Sequence, residues 1–404
     1  MEHVNPVLSS SAREKQSENN SEIPFFDQSE TFRRLWPEIR ENCGRVMGDG
    51  KFSHGSMVEE FERELERWTG ARHVVGVNSG TDALVLLLRA AGLRPGDEVI
   101  VPAYTFVATA TAVAHAGGVP VFADIEPHGY GIDPRSVERV ITERTRAVMP
   151  VHLFDRLADM EGVGEVARAH GLTVLEDSAE AIGMRSGGRH AGLLGAGGVL
   201  SFFPAKTLGA VGDAGALLTD DDAIAETARM IRHHGRSGRT LADFPGISNP
   251  TVITGCNSKM DDLQAAVLLT KLAHLDADIE RRAELSRRYD ERLRGLPGVR
   301  AVPGDAPRIP GQERVIYVHL IEVDGRDALA AHLAAAGIGT EVYYPRPLHL
   351  QPCFSHLGHR PGDLPRAEEV CRSALALPLH ADLTDAQVDR VCDEIERFLT
   401  GGNR

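Results

Sequence analysis

The chain has 404 residues, 42% hydrophobic and 25% charged, the make-up of a soluble globular protein long enough for two domains with cores of their own. A formal net charge of −14 and a pI near 5.7 argue against nucleic acid or an acidic membrane surface as main partner, while leaving room for a local basic pocket that takes a phosphate. Five scattered cysteines (Cys43, Cys256, Cys353, Cys371 and Cys392) include no CxxC pair and no histidine at zinc spacing, so they read as reduced thiols, with no metal site.

Residues 1–22 are polar and lack the apolar stretch a secretory signal needs; they are expected to form a disordered leader on a cytoplasmic protein. From Arg72 to Leu218 short β-rich runs alternate with helical stretches. HVVGV (73–77), DEVIVP (97–102), VPVFADI (119–125), RAVMPVHLF (146–154) and LTVLEDS (172–178) read as buried strands. TDALVLLLRAAGL (81–93), ATATAVAHAGG (108–118) and DMEGVGEVARAHG (159–171) read as the helices between them. Strand, helix, strand at this spacing predicts an α/β fold whose sheet is largely parallel and covered on both faces. The rhythm changes near Lys206, where VLSFF (199–203) and AGALLTD (214–220) flank a glycine-rich connection.

A long charged amphipathic helical stretch from Asp262 to Leu296 then leads to a second, smaller α/β unit. Its expected strands are RVIYVHLIEV (314–323) and GTEVYYP (339–345). Its expected helices are RDALAAHLAAAG (326–337), RAEEVCRSALAL (366–377) and DAQVDRVCDEIERFL (385–399). The domains are therefore set at 23–262 (large), 263–296 (connecting) and 297–404 (small).

In VVGVNSGTDAL a strand ends and a helix starts at once, so Gly80 and Thr81 offer free amides at the positive end of a helix dipole. Read alone, the same turn is equally a helix capped by Ser79 or Thr81 with no ligand. No dinucleotide GxGxxG and no GxxxxGK[ST] is present, which disfavours a Rossmann oxidoreductase or a P-loop ATPase. Glu176 and Asp177 stand at a strand's C-terminal end, where open α/β sheets bind ligands, and Asp177 could pair with a protonated ring nitrogen. Tyr104 and Phe106 follow another strand end, and one of them could stack on a flat ring or simply pack in the core. Lys206 is one of only five lysines, set in an apolar, glycine-rich run. Poor hydration lowers an amine's pKa and frees it to attack an aldehyde, which arginine cannot do; a lysine that snorkels to the surface or pairs with Asp213 is the plainer alternative.

The strings NSGTDAL, VPAYTFVAT, PVHLF, EDSAEAIG, SFFPAKTLGAVGDAGAL, GCNSKMDDLQAA, YYPRPLHLQP and LALPLH occur in an order that resembles the DegT/DnrJ/EryC1/StrS family of pyridoxal-phosphate-dependent sugar aminotransferases. The resemblance implies the fold type I architecture, with a mostly parallel seven-stranded sheet, a small C-terminal domain and two active sites at a homodimer interface. It implies that Lys206 is the Schiff-base lysine, that Asp177 holds the pyridine nitrogen, and that Phe106 stacks on the ring. Gly80, Thr81 and Ser201 match the phosphate site, Glu180 the position near the ring's 3-hydroxyl, and Asn257 an asparagine that reaches the phosphate from the partner subunit.

The implied reaction is ping-pong: L-glutamate leaves its nitrogen on the cofactor as pyridoxamine phosphate, which then aminates a keto-sugar carried on a nucleotide. A dTDP-4-keto-6-deoxyhexose aminated at C4 is the favoured acceptor, with the 3-keto sugar or a cyclitol ketone such as an inosose as alternatives, in amino-sugar or antibiotic biosynthesis. Substrate contacts are sought at Tyr344, His349 and Arg185, with Arg189, His190, His233 and Arg236 behind them. A keto-deoxysugar dehydratase of this fold would carry histidine in place of Lys206, and a non-catalytic binding protein would be expected to have lost Lys206, Asp177 or Ser201. Three positions depart from the family pattern: Asp155, followed by Arg156, where glycine is usual; Lys259 for a common arginine; and Glu180 for glutamine or histidine.

Overall fold

The computed structural model describes residues 22–53, 55–238, 249–305 and 309–401, so residues 1–21 of the expected leader lie outside the described residues. Helices α1 (Ser29–Asp49) and α2 (Ser56–Thr69) precede β1 (His73–Val77). Then come α3 (Gly80–Ala90), β2 (Glu98–Pro102), α4 (Ala108–His115), β3 (Val119–Ala123), α5 (Pro134–Val140), β4 (Thr145–Val148), α6 (Met160–His170) and β5 (Thr173–Asp177). Short strands β6 (Arg185–Ser186) and β7 (Arg189–His190) form a hairpin before β8 (Gly197–Ser201), β9 (Gly215–Thr219) and α7 (Asp222–Ile231).

The main sheet has seven strands in the order β1-β9-β8-β5-β4-β2-β3. Strands β8, β5, β4, β2 and β3 are parallel, and only β9 runs against its neighbours. Alternation explains how it is covered. Val75, Val77, Val99, Val101, Leu175, Val199 and Leu217 join one core, which includes α3 and α4. Val74, Leu200, Ala216 and Leu218 face a second core with α2, while Ile100, Ala123 and Val148 face a third with α6. Neighbouring residues on a strand point to opposite faces, so a sheet buried on both sides needs apolar residues at nearly every position.

Two further helices, α8 (Asp262–Leu272) and α9 (Leu275–Leu293), occupy the stretch expected as one long helix. They part because their surroundings differ: α8 is buried along most of its length, whereas α9 buries one stripe and exposes charge. Strands β10 (Val299–Ala301), β12 (His319–Val323) and β13 (Ala374–Leu377) form a three-stranded antiparallel sheet, and β11 (Gln312–Glu313) pairs with β6. Helices α10 (Arg326–Ala335), α11 (Pro365–Ser373) and α12 (Asp385–Gly401) complete this unit. Its core takes Leu285, Tyr289 and Leu293 from α9 and, from the start of the described chain, Ile23. Asp124, just past β3, accepts the amides of Arg366 (3.1 Å) and Ala367 (2.9 Å) at the start of α11, tying the two units together.

Three expectations for the second unit change. The strand expected over 314–323 begins only at His319; residues before it run along another loop, described below. ALAL (374–377) is a strand instead of the end of a helix, because all four residues are buried and pair with β12. GTEVYYP forms no strand beyond a single bridge from Glu341 to Ala376, since the Tyr343 carbonyl is taken by the Tyr104 hydroxyl.

Candidate active site

The C-terminal ends of β1, β2, β5 and β8 lie along one edge of the sheet, where the connections that follow them meet. Ser79 caps α3 by accepting the amide of Asp82 at 3.1 Å, which leaves the amides of Gly80 and Thr81 in the first turn without intrahelical acceptors. Ser201 ends β8 directly beside them: a Cβ on Gly80 would stand 2.7 Å from the Ser201 Cβ and 3.0 Å from its Oγ. The only hydrogen bond of that hydroxyl among the described residues is accepted, from Phe203 N–H at 3.4 Å, so its proton is available. Two amides, a hydroxyl and a helix dipole converge on one small space, which suits the phosphate of pyridoxal phosphate.

Asp177 ends β5 and is buried. Its Oδ2 accepts the Thr109 hydroxyl at 2.7 Å and its Oδ1 the Ala179 amide at 3.2 Å. Burial pushes this carboxyl above its ordinary pKa, against the pull of those two bonds and of the Lys206 charge. A cationic ring nitrogen brought beside this acid would offset that burial effect by favouring the charged carboxylate. Behind it, Glu176 accepts the amides of Gly195 (2.6 Å) and Gly192 (2.8 Å) and the His152 Nε2–H at 2.9 Å; His152 Nδ1 accepts the Ala158 amide, which fixes that tautomer.

Lys206 lies on the turn after β8 with only 15% of its side chain exposed. Its Nζ pairs with Glu180 Oε1 at 3.1 Å and stands 4.5 Å from the centre of the Tyr317 ring. Glu180 Oε2 also accepts the Phe154 amide at 3.2 Å. The plainer alternative, an ion pair between Lys206 and Asp213, is not formed. Phe106 is more than half exposed, 6.1 Å between ring centres from Tyr344, which in turn touches Tyr104 and Tyr343. Thr109 and Tyr317 escaped the sequence reading because only folding brings them to Asp177 and Lys206.

Other candidates lie apart from this cluster. Arg185 donates to the carbonyls of Trp68 (2.7 Å), Thr69 (3.4 Å) and Gly188 (3.3 Å), and its guanidinium lies over the Trp68 ring, so it pins the end of α2. His349 is buried, with Nε2 on Glu368 at 3.2 Å and its ring against His359. Buried His190 accepts the Gly183 amide at 2.8 Å, and Arg189 pairs with Asp220. Asn257 is exposed, bridges to His233 and accepts a hydrogen bond from Lys259, with no bond to Gly80, Thr81, Ser201 or Lys206. A cavity of about 1030 Å³ lies elsewhere, lined among others by Glu126, Arg156, Ser286, Asp290, Ile309 and Arg314, and none of the cofactor candidates lines it. Volume alone is a poorer guide here than the convergence of amine, acid and anion site.

The sequence profile described as the DegT/DnrJ/EryC1/StrS aminotransferase family matches residues 34–396. The chain is 41% identical over 376 residues to a protein of Geobacillus stearothermophilus named "Pleiotropic regulatory protein", covering 93% of this chain and 98% of that one. It is 40% identical over 378 residues to the dTDP-3-amino-3,4,6-trideoxy-alpha-D-glucose transaminase of Streptomyces venezuelae, covering 93% and 96%. Among solved structures, S. venezuelae DesV superposes with a TM-score of 0.88 at 39% identity, covering 95% of this chain and all of that one. The Bacillus subtilis ntda structure, with bound cofactor pmp, gives 0.82 at 32% identity, covering 94% and 86%.

Proposed function

The chain belongs to the DegT/DnrJ/EryC1/StrS aminotransferase family, pyridoxal-phosphate-dependent enzymes of fold type I, and on that premise we propose that it moves the amino group of L-glutamate to the keto carbon of a nucleotide-linked deoxysugar. The observation that carries the reading is the Lys206–Glu180 pair, its lysine 15% exposed and its carboxylate buried, beside Asp177 at the strand ends and next to a ready anion site.

Pyridoxal phosphate, when bound, supplies an electron sink that lets the proton on the amine-bearing carbon leave. The protein's own residues do the rest. The amides of Gly80 and Thr81 and the Ser201 hydroxyl hold the phosphate, Asp177 keeps the ring nitrogen protonated, and Phe106 covers the ring. Lys206 Nζ would hold the cofactor and is placed to take and return the proton on the amine-bearing carbon. Glu180 orients that nitrogen and takes part of its charge.

Relatives include transaminases named for 3-amino products and a GDP-perosamine synthase. The chain's motifs resemble C3 and C4 members about equally, whereas a relative 40% identical is named for a dTDP-3-amino sugar; this favours a dTDP-linked 3-keto-6-deoxyhexose over the C4 acceptor first expected, with the 4-keto isomer as the second to try. Homodimerisation is part of the proposal: Phe106, Phe203 and Val211 are each more than half exposed around the site, and Asn257 lies at the surface, where a neighbouring subunit can reach it. All five cysteines are unpaired, as a reducing compartment keeps them, which supports a cytoplasmic setting.

The test is the visible spectrum of the cofactor-loaded protein through both half-reactions. Its absorbance should bleach with L-glutamate and return with the 3-keto nucleotide sugar, NMR identifying the aminated carbon. Bleaching without return rejects the acceptor alone; return with the 4-keto isomer moves the amination to C4. If Lys206→Ala keeps the visible band, the central assignment is wrong. A monomer by light scattering that turns over at full rate would refute the shared site.

A further inference from the structure

Residues Arg314 to Val318, which lead into β12, are fastened to the loop that follows β4. The Tyr317 amide donates to the Phe154 carbonyl at 2.7 Å, and Arg314 Nε donates to the Asp155 carbonyl at 3.1 Å. Arg314 Nη2 also pairs with the Asp155 carboxylate and donates to the Pro303 carbonyl at 2.9 Å. On its other side the same loop reaches Lys206: the Phe154 amide holds Glu180, Glu180 holds Nζ, and the Tyr317 ring stands over that nitrogen. Two of the groups that face Lys206 are thus placed by one junction between the two units.

Asp155 is the centre of that junction. It is 1% exposed and flanked by two guanidinium groups, Arg314 and, at 3.1 Å, Arg156. Both arginines are partly desolvated, and burial draws each below its ordinary pKa. The turn itself has no need of a carboxylate, because the Asp155 amide already closes it on the Leu153 carbonyl at 2.7 Å. A buried acid is retained at a cost, so its pairing with Arg314 across the junction is the feature to explain.

We propose that Asp155 is a positioning residue for Lys206: by clamping Arg314 it holds Phe154 and Tyr317 in register, and through them sets Glu180 and the Tyr317 ring at the lysine nitrogen. The proposal rests on the reading of Lys206 as the cofactor-bearing residue. The charged or titratable groups facing Lys206 are Glu180, Asp177, Tyr317 and Tyr343.

The experiment is a pH titration of the visible spectrum of the cofactor-loaded protein without substrate, so that catalysis does not enter the readout. Asp155→Asn and Arg314→Gln should both move the midpoint to lower pH, by about half a unit or more, because both loosen Glu180 from the nitrogen. Charge acting through space alone would move the two in opposite directions, since one variant loses an anion and the other a cation. Opposite shifts, or no shift in either, overturn the proposal. The double variant should match the larger single shift, because the two residues act as one clamp; additive shifts also overturn it. If Asp155→Asn does not fold, Arg314→Lys serves instead: it keeps the charge, loses the two-pronged grip, and should shift the midpoint in the same direction as Arg314→Gln but less, while an unchanged midpoint counts against the clamp. A visible band that survives Lys206→Ala would instead sink the reading beneath the proposal.

Discussion

Gly80→Ala separates packing from cofactor binding at the anion site. Gly80 opens α3 against the last residue of β8, and an added Cβ would meet the Ser201 Cβ at 2.7 Å, closer than real side chains come. Ser201 has little room to retreat, because it pairs with Gly215 of β9, and Gly215 is itself pressed on the Ser79–Gly80 backbone, where a Cβ would come within 2.5 Å. Alanine gains up to about 1 kcal/mol of helix propensity over glycine, less at a first-turn position. Overpacking costs about 1–3 kcal/mol, so the cofactor-free variant should lose roughly 0–3 kcal/mol of stability. Displacing either the Ser201 hydroxyl or the first-turn amides forfeits a hydrogen bond to a charged phosphate, about 1.5–3 kcal/mol, or roughly ten- to a hundredfold in affinity. The assay pairs an absorbance titration of cofactor affinity with thermal melting of the cofactor-free protein. Gly164→Ala is the control: it lies inside α6, where a Cβ meets only the flexible tip of Arg168 at 3.2 Å, and should raise the melting temperature without touching affinity. Unchanged cofactor affinity in Gly80→Ala would refute the phosphate cradle.

Asp177→Asn should still take up the cofactor, more weakly, while turnover drops by about 10²–10⁴, because the ring nitrogen loses the acid that keeps it protonated; near-normal turnover in steady-state kinetics would argue against that role. His190 is buried against Trp68 and its pKa is drawn down to about 4 by burial. The unfolded chain therefore takes up this proton first as pH falls below about 6.5, and stability should decline by about 1.4 kcal/mol per unit until about pH 4. Urea unfolding from pH 7.5 to 5 checks this, and His190→Gln should remove about one proton from the slope. Arg232 Nη1 binds Glu62 at 2.5 Å and the Gly76 carbonyl at 2.8 Å, and both side chains are more than nine-tenths buried. Arg232→Met should cost about 3–5 kcal/mol by leaving the Glu62 charge unpaired, and adding Glu62→Leu should recover part of it; equal losses in single and double variants would contradict this.

Why the sheet was readable and the second unit less so follows from what each strand touches. A strand buried on both faces must be apolar at nearly every position, so HVVGV and the Glu98–Pro102 strand announce themselves with ends within a residue or two. A short apolar run such as ALAL satisfies a helix face or a strand equally, and the choice is made by β12 alongside it, far away in sequence. The run from Val315 to Val318 looks like a strand for the same reason: it is buried, but its amides serve the Phe154 carbonyl instead of a ladder. Helices α1, α2, α5 and α7 went unread from the sequence, although α2 and α7 have clear amphipathic faces.

The site divides along a similar line. Lys206, Asp177 and the Ser79–Thr81 turn each admitted a plainer reading taken singly, as a surface lysine, a loop acid and an ordinary cap, and their roles came from the ordered motifs of the family resemblance. The three carbonyls that Arg185 binds were not legible, because a loop arginine looks the same in sequence whatever it pairs with. Asp155 read as an oddity for want of its partner, which lies 159 residues further on. Lone charges mark where chemistry can happen, but what holds them in place comes from distant segments of the chain. That is why the clamp at Asp155 could be argued only after the residues from Arg314 to Tyr317 were seen to run along the Phe154–Asp155 loop.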